Sequence, residues 1–359
     1  MSAHELLITI MAVFAVFGAI DRIFGNKLGL GKEFENGIIA MGALAMAMLG
    51  IIALAPVLAS VLRPVVVPVY AFLGADPAMF AGTILACDMG GGSLAMELTE
   101  NVQAALLGGV ITGSMLGCTI VFTIPIAMGM LSKEDQTFAA KGILAGVVTI
   151  PLGVFTGGVV AGFPVGMVAR NCIPIVIIAA AIALGLWKAE KAMVKGFVIF
   201  GKAIVILITV GLTAGIFEAL TGIALIPGLA PISDGFETVG AIAIVLAGAF
   251  PLVYAITKLL KKPLLKLGKI LGINDTAAAG LIATLANSIA TFGLVKDMDD
   301  RGKVVNVAFA VSAAFVFGDH LGYAAGFAPS VLPGLIAGKL VGGIAAVAVA
   351  LLLTKKKAR

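Results

Sequence analysis

Charge is scarce in this sequence. Asp, Glu, Lys and Arg make up 12% of the 359 residues, about half the ~25% usual in a soluble domain. Beside them stand a 61% apolar fraction and 46 glycines. A soluble fold could not keep that much apolar surface from water, which excludes a soluble enzyme, a disordered chain and a nucleic-acid partner. Cysteine is sparser still, with three residues. Cys87, Cys118 and Cys172 are isolated inside apolar runs, so no disulfide or cysteine-based metal framework is expected. Of the two histidines, His320 has only His4, near the N-terminus, as a second imidazole; no metal and no cofactor are expected. No basic segment precedes the apolar first 25 residues, which Asp21-Arg22 closes. They are read as a first helix, not a cleaved signal. Gly90-Gly91-Gly92 lacks a following Gly-Lys-Ser/Thr and is therefore not a phosphate cradle.

What is present is a series of charge-free runs: 38–62, 101–132, 142–169, 171–187, 238–257, 276–295 and 340–354, with shorter ones between. Their all-round apolar character, without period-two alternation, predicts membrane helices and not barrel strands. At about 20 residues per span, the chain reads as an all-α polytopic membrane protein of roughly 10–12 transmembrane or re-entrant helices. Its net charge of +5 resides in short clusters between the runs: Lys188, Lys191 and Lys195; Lys258, Lys261, Lys262, Lys266 and Lys269; and Lys355 to Arg359. Basic loops of this kind mark the cytoplasmic face of an inner-membrane protein in contact with the lipid bilayer. The expectation is a multi-pass protein with a cytoplasmic C-terminus, provided that 276–295 dips in and returns by bending at Asn287-Ser288.

Gly and Pro interrupt many runs: Pro56, Pro64, Pro68, Gly90 to Gly92, Gly108-Gly109, Pro125, Pro151, Pro164 and Pro251. Broken helices persist in a bilayer only where protein or a wet cavity satisfies the freed backbone, as in a transporter interior. A weak internal repeat agrees. Residues 73–86 match 271–284 at a shift of 198, and 129–163 match 293–327 at a shift of 164. The expected organisation is one integral membrane domain over 1–354, with repeats of about 1–190 and 191–354, followed by a basic tail, 355–359. Repeats of this type place the binding site at their interface, near mid-membrane; inverted and parallel repeats both stay open, as does a homo-oligomer.

Acids inside apolar runs are few, and removing a carboxylate from water costs several kcal/mol unless it is paired, protonated or solvated in a cavity. Asp88 in ACDMGGGS and Asp319-His320 in FGDHLGY are therefore functional candidates. Asp88 could instead cap a broken helix. Glu97 is a candidate on equal terms with a surface reading, since it stands beside Glu100, as at a membrane surface. Asn287 lies at the proposed bend, and under the 198 shift it falls opposite Met89, next to Asp88. Tyr323, four residues after Asp319 and so on the same helical face, offers either a π-face to a cation or an interfacial anchor. Lys339 could snorkel or pair with a buried acid. The run Asp297, Asp299, Asp300, Arg301, Lys303 reads as a solvated loop and helix cap.

With these motifs in view, the chain resembles the ethanolamine-utilisation membrane permease family (EutH type) of bacteria. The resemblance is carried by FENGIIAMGALAMAMLGIIALAPVLA (34–59), MFAGTILACDMGG (79–91), TIVFTIPIAMG (119–129), ILAGVVTIPLG (143–153), IPGLAPI (226–232), AAAGLIATLAN (277–287), DRGKVVNVAFAVSAAFVFGDHLGYAA (300–325) and GKLVGG (338–343). Asp88, Glu97, Asn171, Asn287, Asp319 and His320 fall at polar positions of the family pattern. The chain departs from that pattern in a shorter 160–175 region and in SIATFG at 288–293. The resemblance implies uptake of ethanolamine across the cytoplasmic membrane, without catalysis, to supply a cobalamin-dependent lyase in a microcompartment.

The residues suit that solute on their own terms. A primary amine like that of Lys titrates near ~10.4, and ethanolamine, somewhat weaker, is still mostly a cation at neutral pH. Its site needs one carboxylate for the ammonium, which Asp88 or Asp319 could supply, and a polar group for the hydroxyl, either Asn287 or His320. Two other readings compete. A carrier or channel for another small solute, sodium-coupled or not, would also use Asn and Asp at broken helices. An intramembrane aspartyl protease would need two buried Asp, but its Tyr-Asp, Gly-x-Gly-Asp and Pro-Ala-Leu signatures are missing here.

Overall fold

The computed structural model describes residues 2–354; the basic tail expected at 355–359 lies outside the described residues. Among the described residues every regular element is helical, as the all-round apolar runs predict. Among the described residues, six helices are long and apolar enough to cross a bilayer: Ala3–Ile23, Leu30–Phe72, Val102–Met130, Val165–Thr221, Ile232–Leu259 and Pro329–Leu353. The pair Lys133–Val147 and Ile150–Val160, bent by 41°, makes a seventh if it counts as one span. The outer helices present apolar residues outward, among them Val61 and Ile244, as lipid-facing surfaces do. The span Val102–Met130 is instead 94% buried and forms the centre of the bundle.

Several prolines expected to break helices do not. Pro56, Pro64 and Pro68 all lie inside the 43-residue helix Leu30–Phe72, and Pro251 lies inside Ile232–Leu271. A proline removes one ladder hydrogen bond, and neighbouring helices compensate for that loss in a membrane helix. Charge does not end the first of these helices either. The Arg63 guanidinium, midway between two charge-free runs, donates to the Glu97 carbonyl. Pro125 likewise lies inside Val102–Met130, where the winding changes from π to α, whereas Pro151 and Pro164 do mark helix starts, where the missing N–H costs nothing. Gly108-Gly109 sits within a π-helical stretch, Leu106–Gly117, a wider winding found mostly as single turns at functional sites.

The real interruptions lie elsewhere. Val165–Thr221 turns at Ala189, whose backbone (φ −142°, ψ 45°) is not helical. There Gly185 packs against Met193, eight positions on and ~12 Å away in a straight helix, so 165–188 and 190–221 are two helices folded on one another. Asp275–Ala286 and Ser288–Leu294 are separated by the extended Asn287. The Thr291 hydroxyl reaches the Thr284 hydroxyl (2.7 Å) and the Gly280 carbonyl (3.0 Å). The second piece therefore folds back along the first, at the residue where the sequence places a bend. In the first half, Pro77–Phe80, Ala81–Ile84, Cys87–Met89 and Gly91–Leu98 form a similarly interrupted segment.

Both interrupted segments follow a long helix and start from a side-chain cap. Asp76 accepts from Ala78 N and Asn274 from Ala277 N, each at 2.9 Å, and the two caps stand 198 residues apart. Lys303 is not solvated as its charged neighbourhood suggests. Its Nζ lies 2.6 Å from Asp135 Oδ1, with both side chains largely buried, and ties Lys133–Val147 to Asp300–Ala313.

Candidate functional site

The breaks around Asp88, Asn287 and Asp319 converge on one cavity of about 1240 Å³. Its wall is mostly apolar, with Phe122, Phe250 and Phe315 among the lining residues, and its polar groups include Asp88, Asn287, Asp319 and His320. An apolar hollow with a few placed polar groups is the usual form of a small-molecule site.

Each polar group is held by a defined departure from helix. Asp88 sits in the short turn Cys87–Met89, and Gly90 follows with φ +86°. A Cβ at Gly90 would strike the Ile51 side chain, so both conformation and space call for glycine there. Asp88 does not cap the helix Gly91–Leu98, which has no side-chain cap. Its carboxylate instead faces His320, Oδ1 to Nε2 at 3.6 Å. Asn287 ends one helix and caps the next, its Oδ1 accepting from Ile289 N at 2.8 Å. Asp319 opens the helix Asp319–Phe327, where the positive end of the helix dipole favours a carboxylate. Among the described residues no side chain forms an ion pair with it within 4 Å.

The two breaks beside Asn287 and Asp319 satisfy one another. Phe315 N donates to the Thr284 carbonyl (3.2 Å) and Phe317 N to the Leu285 carbonyl (2.9 Å). Backbone groups freed by one interrupted helix are thus paired with those of the other, as an apolar environment demands. A Cβ on Gly318 would strike the Ala286 carbonyl oxygen, so the approach depends on glycine. Phe315 adopts φ +62°, a costly region for an aromatic residue. Its ring packs 5.1 Å from the His320 ring and 5.5 Å from Phe122.

Behind His320 lies Lys339, fully buried in the helix Leu332–Leu353. Its Nζ donates to the Ser114 carbonyl (2.6 Å) and lies 3.0 Å from His320 Nδ1. Cys87, Asp88 and His320 bring three possible metal-ligand atoms within 4.8 Å of one another. A metal-bound imidazole, however, normally donates its second N–H to an acceptor, whereas here that nitrogen faces an ammonium, which has none to offer.

The other candidates lie off the cavity wall. Tyr323 is fully buried, stacked on Phe327 at 5.0 Å and packed against Gly92, so it presents no face to the cavity and is not an interfacial anchor. Asn171 is buried, and its Oδ1 accepts from Asp76 N at 2.7 Å, which fixes the start of the first interrupted segment. Glu97 is half-buried at the end of Gly91–Leu98.

The family described as "Ethanolamine utilisation protein, EutH" matches residues 3–353. The chain belongs to the EutH family. It is 58% identical to the "Probable ethanolamine permease EutH" of Listeria monocytogenes over 99% of this chain and 95% of that one. It is 47% identical to the protein of the same name from Salmonella typhimurium, over 99% and 97%. A Bacillus subtilis relative, "Uncharacterized protein YxeR", is 49% identical over 99% and 96%. No solved structure matches the chain.

In this EutH-family chain, sequence reasoning missed two polar residues of the wall, Lys202 and Thr209. Both lie on 190–221, among residues that read as an ordinary helix. Lys339 was visible as a lone cation in a long apolar run, but its partners could not be read there, since Ser114 and His320 lie 225 and 19 residues away.

Proposed function

We propose that this chain is an ethanolamine permease of the bacterial cytoplasmic membrane, a transporter and not an enzyme. The observation that carries this reading is a single large, mostly apolar cavity holding two carboxylates, a carboxamide and an imidazole. The names of the Listeria and Salmonella relatives supply the solute. A carboxylate, Asp88 or Asp319, takes the ammonium, and Asn287 or His320 takes the hydroxyl. Charge-assisted hydrogen bonds are about twice as strong as neutral ones, and they replace the hydration that the cation leaves behind. Asn171 and Tyr323 act from outside the wall by holding the segments that carry Asp88 and Asp319, and Glu97 lies at the water interface.

The paired caps Asp76 and Asn274 support two structural repeats meeting at this cavity, with the C-terminus on the cytoplasmic side. Ethanolamine delivered to a mid-membrane site in this way would feed its catabolism inside the cell. The test is uptake of labelled ethanolamine by vesicles containing the purified protein, with and without imposed Na⁺ and proton gradients. The reading requires faster uptake than into empty vesicles. Equal rates at acidic pH, where leakage of the neutral amine is smallest, would reject it.

A further inference from the structure

We infer that Lys339, acting through His320, is the built-in counter-ion of Asp88, and that Asp319 is consequently the carboxylate left to hold the substrate ammonium. The inference rests on the ethanolamine reading above and decides which of its two acids does the binding. It starts from donors and acceptors. A lysine ammonium has three donors and no acceptor. His320 Nδ1, 3.0 Å from Lys339 Nζ, therefore presents its lone pair, and the ring proton resides on Nε2. That nitrogen faces Asp88 Oδ1 at 3.6 Å. Cation, imidazole and carboxylate thus stand in a row, each with its donor towards the next acceptor.

The burial of the row gives it electrostatic weight. Lys339 and His320 are 0% and 1% exposed, and an unpaired charge in such surroundings costs several kcal/mol. Lys339 offsets Asp88 without any cation from solution. The other cation on the wall, Lys202, is exposed and, among the described residues, pairs with neither carboxylate within 4 Å. Asp319 has no comparable partner. It lines the same cavity, at a helix N-terminus, with no cation within 4 Å among the described residues. Two half-buried carboxylates, Asp88 and Asp319, thus stand against one fully buried ammonium, Lys339, a deficit of one positive charge that a single protonated amine fills. Lys339 is accordingly a positioning residue: it fixes the imidazole tautomer and withholds Asp88 from the substrate.

Two measurements on purified full-length protein in detergent test this. The first is a thermal-melting cycle over Lys339→Met, Asp88→Asn and the double variant. Lys339→Met should lower the melting temperature by several degrees in the parent, and by less than half as much when Asp88 is already Asn, because the stranded carboxylate is then gone. Additive shifts would overturn the pairing, since a lysine that merely fills space loses as much in either background. The second is equilibrium binding of labelled ethanolamine. Asp319→Asn should weaken it by about 30-fold or more, and Asp88→Asn by less than about fivefold, although each removes one charge from the same cavity. Equal losses, or a larger loss at Asp88, would overturn the assignment of Asp319. Parent protein that binds no ethanolamine while the melting cycle stays coupled would reject the transport reading and support the pairing.

Discussion

Neutralising Asp319 should damage uptake far more than neutralising Glu97, although Asp319→Asn and Glu97→Gln each remove one negative charge and little volume. Asp319 lines the cavity at the first turn of its helix, and among the described residues no ion pair within 4 Å occupies it. Asn there can still accept a hydrogen bond, but the charge that the proposed role sets opposite the ammonium is lost. A hydrogen bond to a charged group contributes about 1.5–3 kcal/mol, which at 1.4 kcal/mol per tenfold corresponds to a roughly 10- to 150-fold loss. Glu97 is half-buried, lies off the cavity wall and joins Arg63 through its backbone carbonyl, not its carboxylate. A solvent-screened acid of this kind contributes about 1 kcal/mol or less, and the loss should stay below about fivefold. The assay is initial uptake of labelled ethanolamine at low substrate concentration into vesicles, normalised to the amount of each variant in the membrane. A Glu97 variant as impaired as the Asp319 variant would refute the placement of the site. An Asp319 variant within twofold of the parent would refute the role of that carboxylate.

Three further expectations concern the scaffold. Gly318→Ala forces a methyl group onto the Ala286 carbonyl oxygen; overpacking costs about 1–3 kcal/mol, so melting temperature and uptake should fall together, and unchanged values would mean that the two breaks part easily. Lys303→Met strands the largely buried Asp135 carboxylate and should destabilise the protein by about 3–5 kcal/mol. Denaturation in detergent would read this as a large loss, most of which Asp135→Asn should remove in the double variant. Asn287→Ala removes the cap on Ile289 N at about 1 kcal/mol, whereas Asn287→Asp keeps it. Melting curves should therefore rank Asp above Ala, and the reverse order would show that the cap contributes nothing to stability.

The helical class and the acids of the cavity were legible because burial in an apolar medium constrains composition directly: few charges survive inside, and those that do stand out. Asp88 and Asp319 were visible on that ground, and Asn287 because a polar pair interrupts a run of small apolar residues. Helix boundaries were less legible. Pro64, Pro68 and Arg63 read as an end to a helix, yet Leu30–Phe72 passes through all three, because neighbouring elements supply what the backbone lacks. The turn at Ala189 carries no local signal, for alanine is the best helix former; packing of Gly185 on Met193 holds it. The links from Lys339 to Ser114 and from His320 to Asp88 join distant parts of the chain, so only the folded arrangement reveals them.

The size of the cavity has a consequence for transport itself. Ethanolamine has four heavy atoms, and a hollow of about 1240 Å³ could hold on the order of 40 water molecules at ~30 Å³ each. If the site closes on so small a solute, most of that water must leave, and closure is then linked to water activity. Osmolytes too large to enter would draw the protein towards occlusion, much as raised pressure on one side of a piston moves it inward. A bacterium in a concentrated medium would then carry the amine with a different turnover from one in a dilute medium, with no change in any side chain that touches it.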